Sequence, residues 1–156
     1  MLTQAINRAQ AGRNEESLSA LSQLAAEHPT EPMVWTARAT IRAHLRDIEG
    51  AIADWSRAIN LRDEEPHYFY MRGIDLFQIG RYEEAVLDFT RVIDLCELHN
   101  SAYYREPAHF FRAETFLRLR EFRKAKLDCQ HVSDDMTTWT DKLRSKADIL
   151  SECKGD

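Results

Sequence analysis

The sequence has few of the residues that break helices or cross-link a chain. Five glycines and four prolines among 156 residues favour helices over a turn-rich sheet fold. Three cysteines, Cys96, Cys129 and Cys153, are an odd number without CxxC or CxxH spacing, which argues against a disulfide framework and a zinc site. We therefore expect these thiols to be buried as small apolar groups.

Long apolar runs are also absent. No segment reaches the roughly 18 apolar residues of a membrane span, and residues 1–17 lack the apolar core of a signal peptide. The net charge of −5 disfavours nonspecific nucleic-acid binding and is compatible with a basic protein partner. The basic stretch 118–126 is interpreted as a solvated turn. We expect a cytoplasmic protein that binds neither nucleic acid nor membrane.

What the sequence does contain is an internal repeat. GRYEEAVLDFTRVIDL, residues 80–95, repeats the pattern of RDIEGAIADWSRAINL, 34 residues earlier. Ala51 aligns with Ala85, and Trp55 aligns with Phe89. An alanine lets two antiparallel helices approach closely, and an aromatic ring one turn later fills the adjacent gap. Since one helix pair cannot bury its apolar face alone, the repeat predicts a stack of at least three pairs.

The period of 34 and the pattern of PHYFYMRGIDLF followed by AVLDF resemble the tetratricopeptide repeat family. Arg72 and Leu76 replace the Leu and Tyr of the family pattern. The resemblance implies an all-α, right-handed solenoid of antiparallel helix pairs. It also implies a protein-binding role and a concave groove lined by the first helix of each pair.

We expect a single domain over residues 1–156. A degenerate first repeat would span approximately residues 1–29, and three further repeats would span approximately 31–63, 65–97 and 106–133. An insert would cover 98–105, and a capping helix would cover 138–153. The insert is inferred because Ala125 lies 40 rather than 34 residues beyond Ala85. The capping helix would pack one face and expose the other. Its packed face would hold Trp139, Leu143, Ala147, Leu150 and Cys153, and its solvent face Asp141, Lys142, Arg144, Lys146 and Asp148.

An arginine and an aspartate recur 16 residues apart in the three complete repeats. We predict structural ion pairs between the two helices of each repeat, which would fix the helix register. The predicted pairs are Arg38 with Asp54, Arg72 with Asp88, and Arg112 with Asp128.

The groove predicted from the resemblance is aromatic. Thr36, Tyr70 and Phe110 stand where chaperone-binding members of the family use Lys and Asn, so a carboxylate clamp is not expected. The first helix of the third repeat would carry a second apolar face, which implies a further partner. The predicted partner-binding residues are His67, Tyr70, Ile74, Phe77, Tyr103, Tyr104, Phe110 and Glu114. Alternatively, the final helix or the insert fills this groove.

Sequence motifs for catalysis are absent: there is no Gly-rich phosphate loop, no HExxH, no GxSxG and no histidine pair at metal spacing. We expect a non-enzyme without cofactor or metal. Three functions stay open. The first is a protein-binding module. The second is a bacterial immunity protein that neutralises a basic toxin or effector, because residues 125–153 look similar to tetratricopeptide proteins encoded beside polymorphic toxins. The third is a small secretion chaperone.

Overall fold

The computed structural model describes residues 1–140 and 142–153, except for the side chain of Trp139. The chain divides into two compact units, an N-terminal unit of Met1–Tyr68 and a C-terminal unit that begins at Phe69. The expectation of a single domain stays a prediction. The elements are α1 (Leu2–Gln10), α2 (Asn14–Glu27), α3 (Pro32–His44), α4 (Ile48–Leu61), α5 (Pro66–Gln78), α6 (Tyr82–Leu98), α7 (Arg105–Arg118), α8 (Phe122–Asp128), a 3-10 turn (Cys129–His131), β1 (Thr137–Trp139), β2 (Leu143–Ser145) and α9 (Lys146–Glu152).

The turn within each helix pair has left-handed backbone at one recurring position. Its φ angle is +76° at Gly12, +67° at Arg46, +78° at Gly80 and +61° at Arg120. The first three residues are 34 apart and the last is 40 further on, which matches the predicted insert. Glycine adopts this conformation without strain, whereas an arginine at the same place is held there by the helices on either side.

Small residues lie where the helices of a pair cross. Ala51, Ala85 and Trp55 are fully buried, as is Phe89. The Phe89 ring passes so close to α5 that a Cβ added to Gly73 would lie 2.8 Å from Cε1 of that ring. The repeat therefore places a small residue on one helix and a large ring on the other, because only that combination allows this close approach.

All three predicted arginine–aspartate pairs are formed, and each is bidentate. In each pair the arginine Nε donates to one carboxylate oxygen at 2.8 Å. The Nη2 group donates to the other oxygen at 2.6 Å for Arg38 and at 2.7 Å for Arg72 and Arg112. The partners Asp54, Asp88 and Asp128 are buried. A buried carboxylate is tolerated here because a planar guanidinium satisfies both of its oxygens.

The aspartates of the C-terminal unit differ in their further partners. Burial raises the pKa of Asp88 more than its bonds to Arg72 lower it. Burial also tends to raise the pKa of Asp128. However, Asp128 accepts hydrogen bonds from Arg112 and lies 2.8 Å from Nδ1 of His109, and the net result is a lowered pKa. The histidine contact, which has no counterpart among these interactions of Asp88, explains the difference, since each additional hydrogen bond favours the charged form.

A second pattern recurs on the first helices of the two central repeats. Trp35 lies under Arg38 at 4.8 Å and under Arg57 at 5.7 Å, measured from the guanidinium carbon to the ring centroid. Phe69 has the same relation to Arg72 and Arg91, at 5.7 and 5.8 Å. Both rings thus hold two cations at distances typical of cation–π contacts.

The capping helix predicted over 138–153 is wrong in its first half. Residues 137–139 and 143–145 form a short antiparallel hairpin, and the helix begins only at Lys146. The β-branched pair Thr137 and Thr138 favours a strand. Ser145 then starts the helix with a capping box, in which its side chain and backbone bond to Asp148. Of the other residues predicted on that helix, Asp141 and the side chain of Trp139 lie outside the described residues.

The insert is ordered. Helix α6 runs to Leu98, and α7 begins at Arg105, so the extra residues lengthen α6 slightly and then form a turn with Asn100 at φ +49°. Cys96, Cys129 and Cys153 are buried and form no disulfide with one another, as expected. Within the described ranges, no helix is both long enough and apolar enough to cross a membrane.

Substitution at the helix crossing tests this packing. Ala51→Leu should lower the free energy of unfolding by about 1 to 3 kcal/mol, because the crossing has no space for three more carbons. Ala53→Leu on the exposed side of the same helix is the matched control and should change it by less than about 0.5 kcal/mol. Equal denaturation midpoints for the two variants would contradict the assigned crossing.

Candidate functional site

The N-terminal unit contains an open cavity of about 510 Å³ beside α1 and α3. It lies on the face of α3 that was predicted to line a groove. We call this cavity the N-terminal groove. Its lining residues are Ile6, Ala9, Gln10, Asn14, Met33, Thr36, Ala37, Thr40, Ile41, His44, Trp55 and His67.

The wall of the N-terminal groove has no aspartate, glutamate, lysine or arginine. The Thr36 hydroxyl donates to the Met33 carbonyl at 3.1 Å, and the Thr40 hydroxyl donates to the Thr36 carbonyl at 3.0 Å. These donor hydrogens are therefore used within α3. Met33 is 57% exposed and forms part of the rim. The groove suits an apolar ligand, since it offers no fixed charge to pair with an ionic one.

Aromatic rings form one end of this groove. Trp55 is fully buried, and the His67 ring meets it edge to face at 5.7 Å between centroids. Tyr68 lies 6.4 Å from Trp55 on the same cluster. Burial lowers the pKa of His67, although the negative charge of Glu65 opposes the shift. His67 is therefore neutral at pH 7, and the end of the groove is uncharged.

His67 is thus one predicted partner-binding residue that lies at an open site. Tyr70, Ile74, Phe77 and Tyr104 lie instead in the C-terminal unit and are at least half buried. Tyr104, from the insert, packs on Tyr70 at 5.1 Å between ring centroids. The second apolar face of α5 is therefore covered partly by the insert, one of the alternatives that the sequence left open.

The aromatic cluster of the C-terminal unit continues inward. Phe111 contacts the rings of Tyr70, Phe77 and Phe89 at centroid distances of 6.0, 6.1 and 5.7 Å. Phe77 is only 8% exposed. Edge-to-face and offset contacts at these distances stabilise a core.

Phe110 and Glu114 were predicted to face a partner, but both are fully buried. Phe110 belongs to a core cluster with Ile149 and Cys153. Glu114 Oε1 accepts a 2.5 Å hydrogen bond from Nε of Arg144. Arg144, which the sequence placed on the solvent face of a capping helix, is itself only 3% exposed. In this structure neither Phe110 nor Glu114 presents surface to a partner, because the second strand of the hairpin and the residues after it cover them.

Tyr103 differs from its neighbour. It is 76% exposed and touches Tyr104 edge to face at 4.7 Å. Tyr103 stays a predicted partner-binding residue of the insert. Ile74, which is half buried on α5, also stays a predicted partner-binding residue.

Two features of the site were missed from the sequence. The contribution of α1 was not expected, although Leu2, Ala5, Ile6 and Ala9 recur at helical spacing and signal an apolar face. The inward direction of Arg144 had no local signal, because its partner Glu114 is 30 residues away. Among the described residues, no group of three or more His, Cys, Asp or Glu side chains is arranged to hold a metal ion.

Comparison with known proteins defines the fold. Residues 2–66 match the family model described as Tetratricopeptide repeat. Among solved structures, MamA from Desulfovibrio magneticus RS-1 is 18% identical with a TM-score of 0.73, over 83% of this chain and 70% of that one. A tetratricopeptide repeat protein from Parabacteroides merdae is 17% identical with a TM-score of 0.69, over 83% and 50%. No curated protein matches the sequence.

A third structure comes from a secretion system. The type III secretion translocator chaperone SycD of Yersinia enterocolitica is 16% identical with a TM-score of 0.66, over 78% of this chain and 83% of that one. At these identities the likeness shows the fold. The all-α tetratricopeptide fold is therefore confirmed, whereas the resemblance of residues 125–153 to toxin-associated proteins stays a prediction.

Two aromatic side chains of the C-terminal unit should differ in how much they contribute to the free energy of unfolding. Phe77→Ala should lower the free energy of unfolding by about 3 to 5 kcal/mol, because its ring fills the interior beside Phe111. Tyr103→Ala should cost less than about 1 kcal/mol, because that ring is mostly in solvent. Chemical denaturation of both variants measures the contrast, and a Phe77→Ala protein as stable as Tyr103→Ala would contradict the assignment of an internal cluster.

The lowered pKa of His67 predicts how stability depends on pH. Below the unfolded-state value of about 6.5, the unfolded chain binds a proton at His67 more readily than the folded one. The free energy of unfolding should therefore fall as the pH falls from about 6.5 through the folded pKa. His67→Gln removes this contribution, so the difference in stability between the variant and the wild type should change between about pH 7.5 and pH 5. A difference that is constant over this range would contradict the burial-induced shift.

Proposed function

We propose that this protein is a non-catalytic binding module that holds a segment of another protein in the N-terminal groove. The observation that carries the proposal is the open cavity of about 510 Å³ on the α3 face, whose wall has no Asp, Glu, Lys or Arg side chain. That volume is in the range of natural ligand pockets. The tetratricopeptide fold suggests protein–protein interaction in general, and the cavity supports the N-terminal groove as the proposed site of that interaction.

The chemistry of the wall restricts the occupant. A carboxylate or an ammonium in the N-terminal groove would lose its hydration without meeting an opposite charge, which costs several kcal/mol. Apolar side chains would instead contact Ile6, Ala9, Met33 and Ala37 and the aromatic end at His67. We therefore expect a partner segment that buries uncharged aliphatic or aromatic side chains. It is not expected to dock by a charged chain terminus.

Placement of a charge in the groove tests the proposal. Thr40→Lys puts an ammonium on the exposed part of the wall, where it should not disturb the core. Thr30→Lys, in the turn before α3 and outside the groove, is the matched control. Partners captured with the full chain should be identified by mass spectrometry and purified, and their affinities measured by calorimetry.

Thr40→Lys should weaken binding by about tenfold or more, because the new charge must be buried against an apolar segment. Thr30→Lys should bind like the wild type. Equal affinities for the two variants would place the binding surface elsewhere.

Two narrower functions carry separate tests, and in both the protein would be bacterial and cytoplasmic. A secretion chaperone is favoured by the fold likeness to SycD. It would keep a co-expressed secretion substrate soluble through the N-terminal groove. An immunity protein is favoured by the sequence likeness of residues 125–153, and would protect a cell that expresses a basic toxin encoded beside it. Protection of the cell from killing would support the immunity protein. Increased solubility of a non-toxic protein encoded beside this one would support the chaperone.

A further inference from the structure

The structure carries a second inference, on the C-terminal unit, that does not depend on the N-terminal groove. Phe110 and Glu114 on α7 occupy the repeat positions that Thr36 and Thr40 occupy on α3. On α3 that face borders an open cavity. On α7 it is covered by residues 143–153, which we call the C-terminal segment. The equivalent binding face of α7 is therefore filled by the chain itself.

An ion pair and an apolar cluster hold the C-terminal segment on this face. Arg144 and Glu114 are 3% and 0% exposed, and the 2.5 Å bond joins them at a single carboxylate oxygen. Ile149 and Cys153, both fully buried, pack in the same cluster as Phe110 and Leu117. The segment thus presents an arginine and an aliphatic residue, as a docked peptide would.

The ion pair is only partly satisfied. Arg144 donates from Nε to Glu114 and uses Nη1 for the half-exposed Glu152. Among the described residues, no donor reaches Oε2 of Glu114, although that atom is buried. A buried carboxylate oxygen without a donor is costly. An arginine that gave both branches of its guanidinium to Glu114 would satisfy both oxygens, as the three repeat pairs do.

The C-terminal segment also has little structure of its own to keep it in place. It contains one strand of the hairpin, β2, with three residues, and α9, with seven. A two-stranded hairpin and a helix of this length are not stable alone in water. Apart from the face of α7, the segment is held by three further contacts. Strand β2 pairs with β1, and Ile149 and Cys153 lie in one cluster with Ala125, Cys129 and Val132. The ammonium of Lys146 donates to the Val132 carbonyl and to Asp134, at 2.9 and 2.8 Å. Such a segment can open as a local unit while the rest stays folded.

We propose that this face of α7 is a second protein-binding site. In the free protein the C-terminal segment of the same chain occupies it, and a partner segment that carries an arginine replaces that segment on binding. The partner's guanidinium binds both oxygens of Glu114, and an aliphatic side chain takes the place of Ile149. The partner displaces Arg144, which keeps its bond to Glu152 in solvent.

A peptide competition tests the proposal on the full chain. The probe is a fluorescein-labelled peptide with the sequence of residues 142–153, in which serine replaces the cysteine. The full-length variant Arg144→Ala leaves Glu114 without its cis arginine and should bind the probe about tenfold or more tighter than the wild type in fluorescence anisotropy. Arg123→Ala, which removes an exposed arginine of α8, should bind like the wild type.

The arginine of the probe is tested in the same way. A second probe, in which alanine replaces this arginine, should bind the Arg144→Ala chain no more tightly than it binds the wild type. Failure of both probes to bind a folded Arg144→Ala chain would overturn the proposal. So would concentration-dependent dimers of that variant, because the occupant would then be a second copy of the chain.

Local opening is measured on the wild-type chain, so the proposal stays testable if Arg144→Ala does not fold. Cys153 belongs to the C-terminal segment, whereas Cys96 lies buried in α6. With rates normalised to the denatured chain, iodoacetamide should label Cys153 about tenfold or more faster than Cys96 under native conditions. Equal rates would overturn the proposal, because the segment would then open only when the whole unit unfolds.

Discussion

The bidentate pair between an arginine on the first helix of a repeat and a buried aspartate on the second fixes how the two helices face each other. Removing one member of such a buried pair leaves an unpaired charge and typically costs about 3 to 5 kcal/mol. Since Arg38, Arg72 and Arg112 all bind in this way, the same face of each first helix is turned away from its own second helix. The groove residues of α3 and α7 are positioned by this constraint.

Side-chain size and charge then decide what becomes of that face. On α3 the groove positions hold threonines, whose hydroxyl hydrogens are used by the helix itself, and the face borders an open cavity. On α7 the same positions hold Phe110 and Glu114, which are fully buried. An exposed Phe110 ring would be unfavourable, and the C-terminal segment covers it with Ile149. The Glu114 carboxylate is buried by the same segment and therefore needs a cation, which Arg144 supplies.

The fold was largely predictable, and the groove only partly. The 34-residue spacing predicted the Ala51 and Ala85 crossings and the ion pairs, because these contacts lie within one repeat and recur with its period. The cover over Glu114 was not predictable in detail, because it depends on Arg144, a residue outside the periodic pattern. Tyr70 and Phe77 were expected to face a partner, since periodicity shows that a face is apolar and not what covers it.

Hydrogen exchange of the full chain with and without its purified partner, followed by mass spectrometry, tests the central claim most directly. If the partner segment occupies the N-terminal groove, exchange should slow in α1 and α3, the helices that line it. Helices α4 and α6 should keep the exchange rates of the free chain, apart from the middle of α4 around Trp55. Slowed exchange in α6 with unchanged rates in α1 and α3 would contradict the account.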